Sequence, residues 1–294
     1  MNENDIKSVV AILLIIIIAV CLSLIGSWGG ITVLGGIPLF ALGVAIAFIV
    51  QWIVFIPAYI KKTEKFFDLT GSLTYSFIVI LSVVLRPEID PRSILLMVLI
   101  LIWAIRLGTF LFKRILKEGE DRRFKEIKQS FSRFLLTWTL QGLWVSLTLA
   151  AALAAITVEQ STKLGIFGYI GLLIWIIGFG FETVADYQKN KFRSFPANKG
   201  KFITTGLWSI SRHPNYFGEI VLWIGIAIIA LPTFQGWRWL TLISPIFVTL
   251  LLTKISGIPL LEKRADEKWG GQEDYEQYKK KTPVLIPKPF LKIT

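Results

Sequence analysis

Eight long apolar runs separated by short polar segments set the organisation of this chain. They lie at Val9–Trp28, Leu39–Tyr59, Leu69–Leu85, Ile94–Phe112, Phe134–Ala155, Leu164–Phe181, Asn215–Leu231 and Trp239–Ile258. Each is close to the roughly 17–25 residues that cross a bilayer as a helix, the form in which a chain satisfies its own backbone in hydrocarbon. The pattern predicts an all-α, polytopic transmembrane helix bundle of about eight spans. The connections are too short for a separate soluble domain, so the chemistry is expected on the bundle itself.

Composition agrees with the pattern. The 294 residues are 54% hydrophobic and 18% charged, where ordinary soluble domains carry about 25% charged residues. The net charge of +12 would suit a nucleic-acid partner, and its distribution argues otherwise. With the amino terminus in the cytoplasm, 27 of the 32 Lys and Arg fall on the cytoplasmic side. Arg86, Arg92, Lys163 and Arg238 fall opposite, and Arg106 lies inside a span. That is the positive-inside bias of an even number of spans with both termini cytoplasmic. The basicity is therefore topological, a nucleic-acid partner is not expected, and the polar chemistry should face the cytoplasm.

Cys21 is the single cysteine and lies in the first span, which excludes an internal disulfide or Cys-based metal site. The first run is longer than a signal-peptide core and is followed by "GSWGG", so it reads as a retained helix. With one histidine, and neither a P-loop nor an H-E-x-x-H motif, no metal site is expected.

The ionisable residues collect in three segments. The richest is Phe181–Glu219, "FETVADYQKNKFRSFPANKGKFITTGLWSISRHPNYFGE". Glu182 and Asp186 are one turn apart and share a helix face, which Arg193 joins if the helix continues that far. Pro214 suits the first turn of the seventh span, which places His213 at its cap beside Arg212. The exposed amides and positive dipole end of that helix make an anion site. Asn215 and Glu219 are four apart within it, and a carboxylate at that depth requires a polar cavity, a partner or a route back to water.

The other two segments are simpler. In Phe112–Arg133, Glu120, Asp121, Arg122 and Arg123 form either a solvated face or a grip on phosphate. In Leu260–Phe290, Trp269, Tyr275, Tyr278 and "PVLIP" predict a tail that packs back as a cytoplasmic lid. Within the spans, Asp68, Tyr75, Arg106 and Gln141 are polar groups that either tie helices together or hold the polar end of an apolar substrate.

At "SRHPNYFGE", together with "ETVADYQKNKF", "GEDRR", "LQG" and "EKRADEKWG…YEQYKKKTPVLIP", the chain resembles the carboxy-terminal domain of the steroid 5-alpha-reductase family, in the form carried by bacterial membrane proteins. The likeness covers residues 61–294 as a reductase-like membrane domain and leaves 1–60 as amino-terminal helices outside it. The resemblance implies a multi-pass enzyme of the bacterial inner membrane. It implies reduction, with NADPH, of a carbon–carbon double bond conjugated to a ketone in a steroid-like or other lipid substrate. By resemblance, Arg122, Glu182, Asp186, Arg193, Lys201, Arg212, His213, Asn215, Tyr216 and Glu219 are cofactor contacts. Glu182 stands where some relatives have asparagine. The family's Gln-Glu pair and Tyr for the substrate ketone are not intact, which leaves Asp68, Arg106 and Gln141 as the catalytic candidates. Two other readings stand beside this one: an S-adenosylmethionine-dependent membrane methyltransferase, which shares the Arg-His-Pro-x-Tyr helix start, and a non-catalytic lipid-binding scaffold.

Overall fold

The computed structural model describes residues 3–121, 124–160 and 162–288, so Arg122, one of the expected cofactor contacts, lies outside the described residues. Among the described residues, eight helical segments are long and apolar enough to cross a membrane by length and composition. Seven are continuous or nearly so: α1 (Glu3–Gly26), α2 (Leu39–Ile60), α3 (Phe67–Val84), α4 (Pro91–Glu118), α6 (Phe131–Ile156), α7 (Gly165–Ser194) and α8 (Pro214–Ala230). A short α5 (Phe124–Ile127) precedes α6, and a two-residue hairpin, β1 (Thr32–Val33) with β2 (Ile37–Pro38), joins α1 to α2. The fold is all-α, as the apolar runs predict.

The eighth apolar run departs from a simple helix. It is built from a 3-10 segment Gly236–Leu242, then α9 (Ile243–Leu250), a π-helical turn Leu251–Ile255 and α10 (Ile258–Trp269). Gly257 stands at the break, where a Cβ would come within 2.3 Å of the Leu252 carbonyl oxygen. Pro259 in the first turn of α10 lacks an amide donor and so suits a new helix start better than a continuing ladder. The periodicity of an apolar run carries no sign of such a break.

The chain forms two compact units, Met1–Phe167 with Ile229–Ser244, and Gly168–Ile228 with Pro245–Thr294. In the first, α6 is the central helix and packs against α1, α2, α3 and α4. Its run Ser146–Ile156 is buried throughout, because small side chains such as Ala150–Ala152, Ala154 and Ala155 let its neighbours close on it. Local signals set the helix ends. Asp90 caps α4 by accepting from the backbone N–H groups of Arg92 and Ser93, at 2.9 and 3.1 Å, with Pro91 next in line. Ser130 caps α6.

Three arginines that sequence reasoning assigned to topology also hold this unit together. Arg238, 1% exposed, donates to the carbonyls of Ala154 at 3.1 Å and Thr157 at 3.4 Å. Arg86 donates to Ile156 and Val158 and pairs with Asp90 at 2.9 Å. Arg92 donates to Ile229, Lys163 and Leu164. The last turn of a helix leaves carbonyls without partners and carries the negative end of its dipole. The guanidinium groups of Arg86 and Arg238 supply the missing donors at the end of α6.

These caps are testable. Arg238→Met keeps the volume and removes the donors, so it should lower the unfolding midpoint of the detergent-solubilised protein by the equivalent of about 2 kcal/mol. A surface change such as Lys7→Met, at a side chain 69% exposed, should leave the midpoint within about 0.5 kcal/mol.

Candidate functional site

The second unit is organised by how closely α7 approaches α8. Gly171 and Gly178 on α7, and Gly218 and Gly225 on α8, are each seven residues apart and meet backbone to backbone. A Cβ on Gly218 would lie 2.4 Å from the Glu182 backbone nitrogen and 2.5 Å from the Gly178 carbonyl oxygen. One on Gly225 would lie 2.7 Å from both the Gly171 oxygen and the Trp175 nitrogen. Small residues let helices touch in this way where lipid gives no hydrophobic drive. The contact brings the polar ends of the two helices together, and Asn215 Nδ2 donates to Asp186 Oδ1 at 3.2 Å.

The loop from α7 to α8 folds back on α7. Trp208, 3% exposed, donates from Nε1 to the Ala185 carbonyl at 3.0 Å, and the Leu207 N–H donates to Gln188 Oε1 at 2.9 Å. Lys189 Nζ lies 4.3 Å from the centre of the Trp208 ring. The loop ends at His213, whose carbonyl accepts from Phe217 N–H at 3.1 Å and so caps α8.

Glu262, in the first turns of α10, takes both neighbouring basic groups. His213 Nε2 lies 2.7 Å from its Oε1, and Arg212 donates to its Oε2. The tail then straps the same loop. Arg212 N–H donates to the Pro283 carbonyl at 2.9 Å, Ser211 Oγ to Leu285 at 2.7 Å, and Lys288 N–H to Ile210 at 3.1 Å. Tyr278 on α11 (Glu273–Lys281) donates its hydroxyl to the Trp208 carbonyl at 2.7 Å. The tail packs back, as "PVLIP" and its aromatic residues predict.

Between loop, α7, α10 and α11 lies a cavity of about 450 Å³. Seven basic side chains line it, Lys189, Arg193, Lys199, Lys201, Arg212, Arg264 and Lys268, against the single carboxylate of Glu262. Phe202, Trp208, Trp269 and Tyr278 add aromatic faces. Burial holds the His213 imidazole below its usual range, with Lys189 and Arg212 adding to the effect and Glu262 opposing it. The ring is therefore neutral near pH 7. Among the described residues no group of three or more His, Cys, Asp or Glu is arranged to hold a metal ion.

The structure thus collects Arg193, Lys201, Arg212 and His213 in one cavity wall. Asp186 and Asn215 join α7 to α8 beside it, Tyr216 stacks on the His213 ring with centroids 5.8 Å apart, and Glu182 is buried against Gly218. Glu219 is half-buried on α8, one turn beyond Asn215. The catalytic candidates belong to the first unit. Asp68 lies 3.8 Å from Arg114, Gln141 donates to the Phe67 carbonyl at 2.9 Å, and the Arg106 guanidinium is 5.6 Å from the Phe110 ring. Sequence reasoning passed over Lys189, Trp208 and Glu262. The three-residue step from Asp186 to Lys189 was a readable signal for the first; Glu262 opens the "EKRADEKWG" stretch, but no local signal pairs it with His213.

The family described as "Protein of unknown function (DUF1295)" matches residues 54–282. Among curated proteins, the chain is 29% identical over 192 residues to a Delta(14)-sterol reductase of Methylotuvimicrobium alcaliphilum, covering 56% of this chain and 40% of that one. It is 37% identical over 73 residues to a Delta(14)-sterol reductase of Ascobolus immersus, covering 20% of this chain and 17% of the relative. It is also 38% identical over 58 residues to the probable O-methyltransferase ustE of Ustilaginoidea virens, 20% of each chain. The matches therefore span less than half the length of these relatives. No solved structure matches the chain.

Two measurements check this geometry. Gly218→Leu should cost about 3 kcal/mol by forcing α7 from α8, read as a lower unfolding midpoint. Gly180→Ala, whose Cβ would meet nothing within 4 Å, should be neutral or stabilising by up to about 1 kcal/mol. The second concerns pH. Because the His213 pKa is lowered on folding, the unfolded chain binds more protons below the ordinary imidazole value of about 6.5. The neutral ring's contribution is present above that pH and is lost as pH falls through the folded value. The unfolding midpoint should drop as pH falls below about 6.5, with a smaller slope in His213→Gln.

Proposed function

The chain belongs to the DUF1295 family of proteins of unknown function, and from that premise we propose that it is an integral-membrane, NADPH-dependent reductase. Its substrate on this reading is a steroid-like or other lipid with a carbon–carbon double bond conjugated to a ketone. The observation that carries the proposal is the charge of the cavity, seven basic side chains against one carboxylate with aromatic faces between them. A phosphorylated dinucleotide is polyanionic and has a planar base, which fits that lining. S-adenosylmethionine carries a sulfonium and no phosphate, so the same wall repels more of it than it attracts. Similarity to two proteins named Delta(14)-sterol reductase and the resemblance to the steroid 5-alpha-reductase family point the same way.

On this proposal Lys189, Arg193, Lys201, Arg212 and Arg264 hold phosphate groups, while Trp208 and Trp269 cover the base. Asp186 and Asn215, with Glu182, Tyr216 and Glu219 on the same two helices, hold the nicotinamide ribose. The bound dinucleotide supplies a hydride to the beta carbon of the enone. As the double bond is reduced, negative charge grows on the ketone oxygen and is stabilised by a donor. Arg106, Asp68 and Gln141 are the proposed group in the first unit. The positive-inside bias supports a cavity that faces the cytoplasm, and the family resemblance supports a bacterial inner membrane. Residues 61–294 are proposed as the reductase domain, and the family match from residue 54 leaves α1 and most of α2 outside it.

Calorimetric titration of the purified protein with NADPH and with S-adenosylmethionine tests the proposal. NADPH should bind, with an affinity that falls as salt rises, and Arg193→Ala or Asn215→Ala should weaken it about tenfold or more. With a panel of unsaturated lipid ketones, the cofactor's near-ultraviolet absorbance should fall. Binding of S-adenosylmethionine alone would replace this reading with the methyltransferase one, which the short match to the probable O-methyltransferase favours.

A further inference from the structure

His213 is the one histidine of the chain and is 5% exposed. Groups from several elements fix the ring. Glu262 Oε1 on α10 lies 2.7 Å from Nε2. Tyr216 on α8 stacks on the ring face, with 12° between the planes. The His213 backbone N–H donates to Ser211 Oγ at 3.2 Å. Nδ1 is buried and, among the described residues, has no hydrogen-bond partner.

A carboxylate accepts hydrogen bonds and does not donate them, so the contact with Glu262 requires the proton on Nε2. A neutral imidazole carries one ring proton, which leaves Nδ1 as an acceptor. The Lys and Arg side chains of the cavity only donate. They bind any phosphate and read nothing else. Nδ1, buried as it is, offers a ligand nothing directly, so the ring acts on the cavity through the place where Glu262 holds it.

We propose that Glu262 is a positioning residue that fixes His213 as its Nε2–H tautomer. The same carboxylate holds the Arg212 guanidinium, through Oε2, so that one side chain sets both basic groups at the wall of the cavity. The inference rests on the nucleotide-binding reading of the cavity and adds to it a positioning residue to which the family resemblance assigned no role. Glu262 reaches the loop because the helix breaks at Gly257 and restarts as α10. The charged and titratable groups around the ring are Glu262 from α10, Arg212 from its own loop, Lys189 from α7 and Tyr216 from α8. The cations and burial favour the neutral ring, and Glu262 chooses which nitrogen keeps the proton.

A single histidine makes the test direct, because ¹⁵N-histidine labelling of the full chain yields the two ring nitrogens of His213 and no others. Without nucleotide at pH 8, Nε2 should give a protonated-type signal and Nδ1 an unprotonated-type one. Addition of NADPH should move the ring signals, because His213 lines the cavity. Glu262→Gln should mix or reverse the tautomers and weaken NADPH binding about tenfold or more. Asp266→Asn, one turn along the same helix, should leave the His213 signals unchanged. An Nδ1–H tautomer in the unmodified protein overturns the proposal without any variant having to fold. So does an unchanged tautomer and affinity in Glu262→Gln. If the tautomer is as expected but NADPH neither binds nor shifts the ring signals, the nucleotide reading fails while the assignment of Glu262 stands.

Discussion

The site depends on the backbone contact between α7 and α8. With glycine at 178, 218 and 225, the two helices approach so closely that a Cβ at any of these positions would fall within 2.7 Å of the partner backbone. Helices in lipid gain nothing from hiding apolar side chains from apolar tails, so close packing and polar contacts must hold them. That approach places the Asp186 carboxylate within hydrogen-bond reach of Asn215. It also fixes the start of α8, and with it His213, relative to the end of α7, where Lys189 and Arg193 stand.

Around that fixed pair, the unit assembles a basic cavity from parts distant in sequence. The loop is pinned to α7 through Trp208 and Gln188. Glu262 arrives from α10, and the tail closes over Ser211 and Arg212, its carbonyls accepting from the Ser211 hydroxyl and the Arg212 N–H. So many cations in one wall would repel one another without an anion. Glu262 offsets part of that repulsion, and a phosphate-bearing ligand would offset more. The arrangement is electrostatically incomplete in the manner of a binding site.

The first unit solves a different problem. Its central helix α6 is sheathed by α1 to α4, and its end carries carbonyls that lipid cannot satisfy. Arg86 and Arg238 supply donors to that end, and Arg92 does the same for Ile229, Lys163 and Leu164. Charge distribution read from the chain placed these arginines on the side opposite most of the basic residues. What it did not reveal was their burial, since a charge count treats an exposed lysine and a buried, five-donor guanidinium alike.

Helix number and type were legible in the chain because membrane spans leave a hydropathy signal about twenty residues long. The shared helix face of Glu182 and Asp186, the helix start at Pro214 and the returning tail were also readable, since each follows from spacing, proline chemistry or aromatic content. The glycine steps 171–178 and 218–225 were visible too, but spacing does not name the partner of a helix. Glu262 opens the "EKRADEKWG" stretch, but nothing in the chain paired it with His213. It lies 49 residues from His213, in a segment that reads as part of one apolar run followed by a charged tail, and reaches the ring because a π turn and Gly257 redirect the chain. Local sequence encodes the conformation of neighbours within a few turns; which distant charge meets which is decided when packing closes the chain on itself.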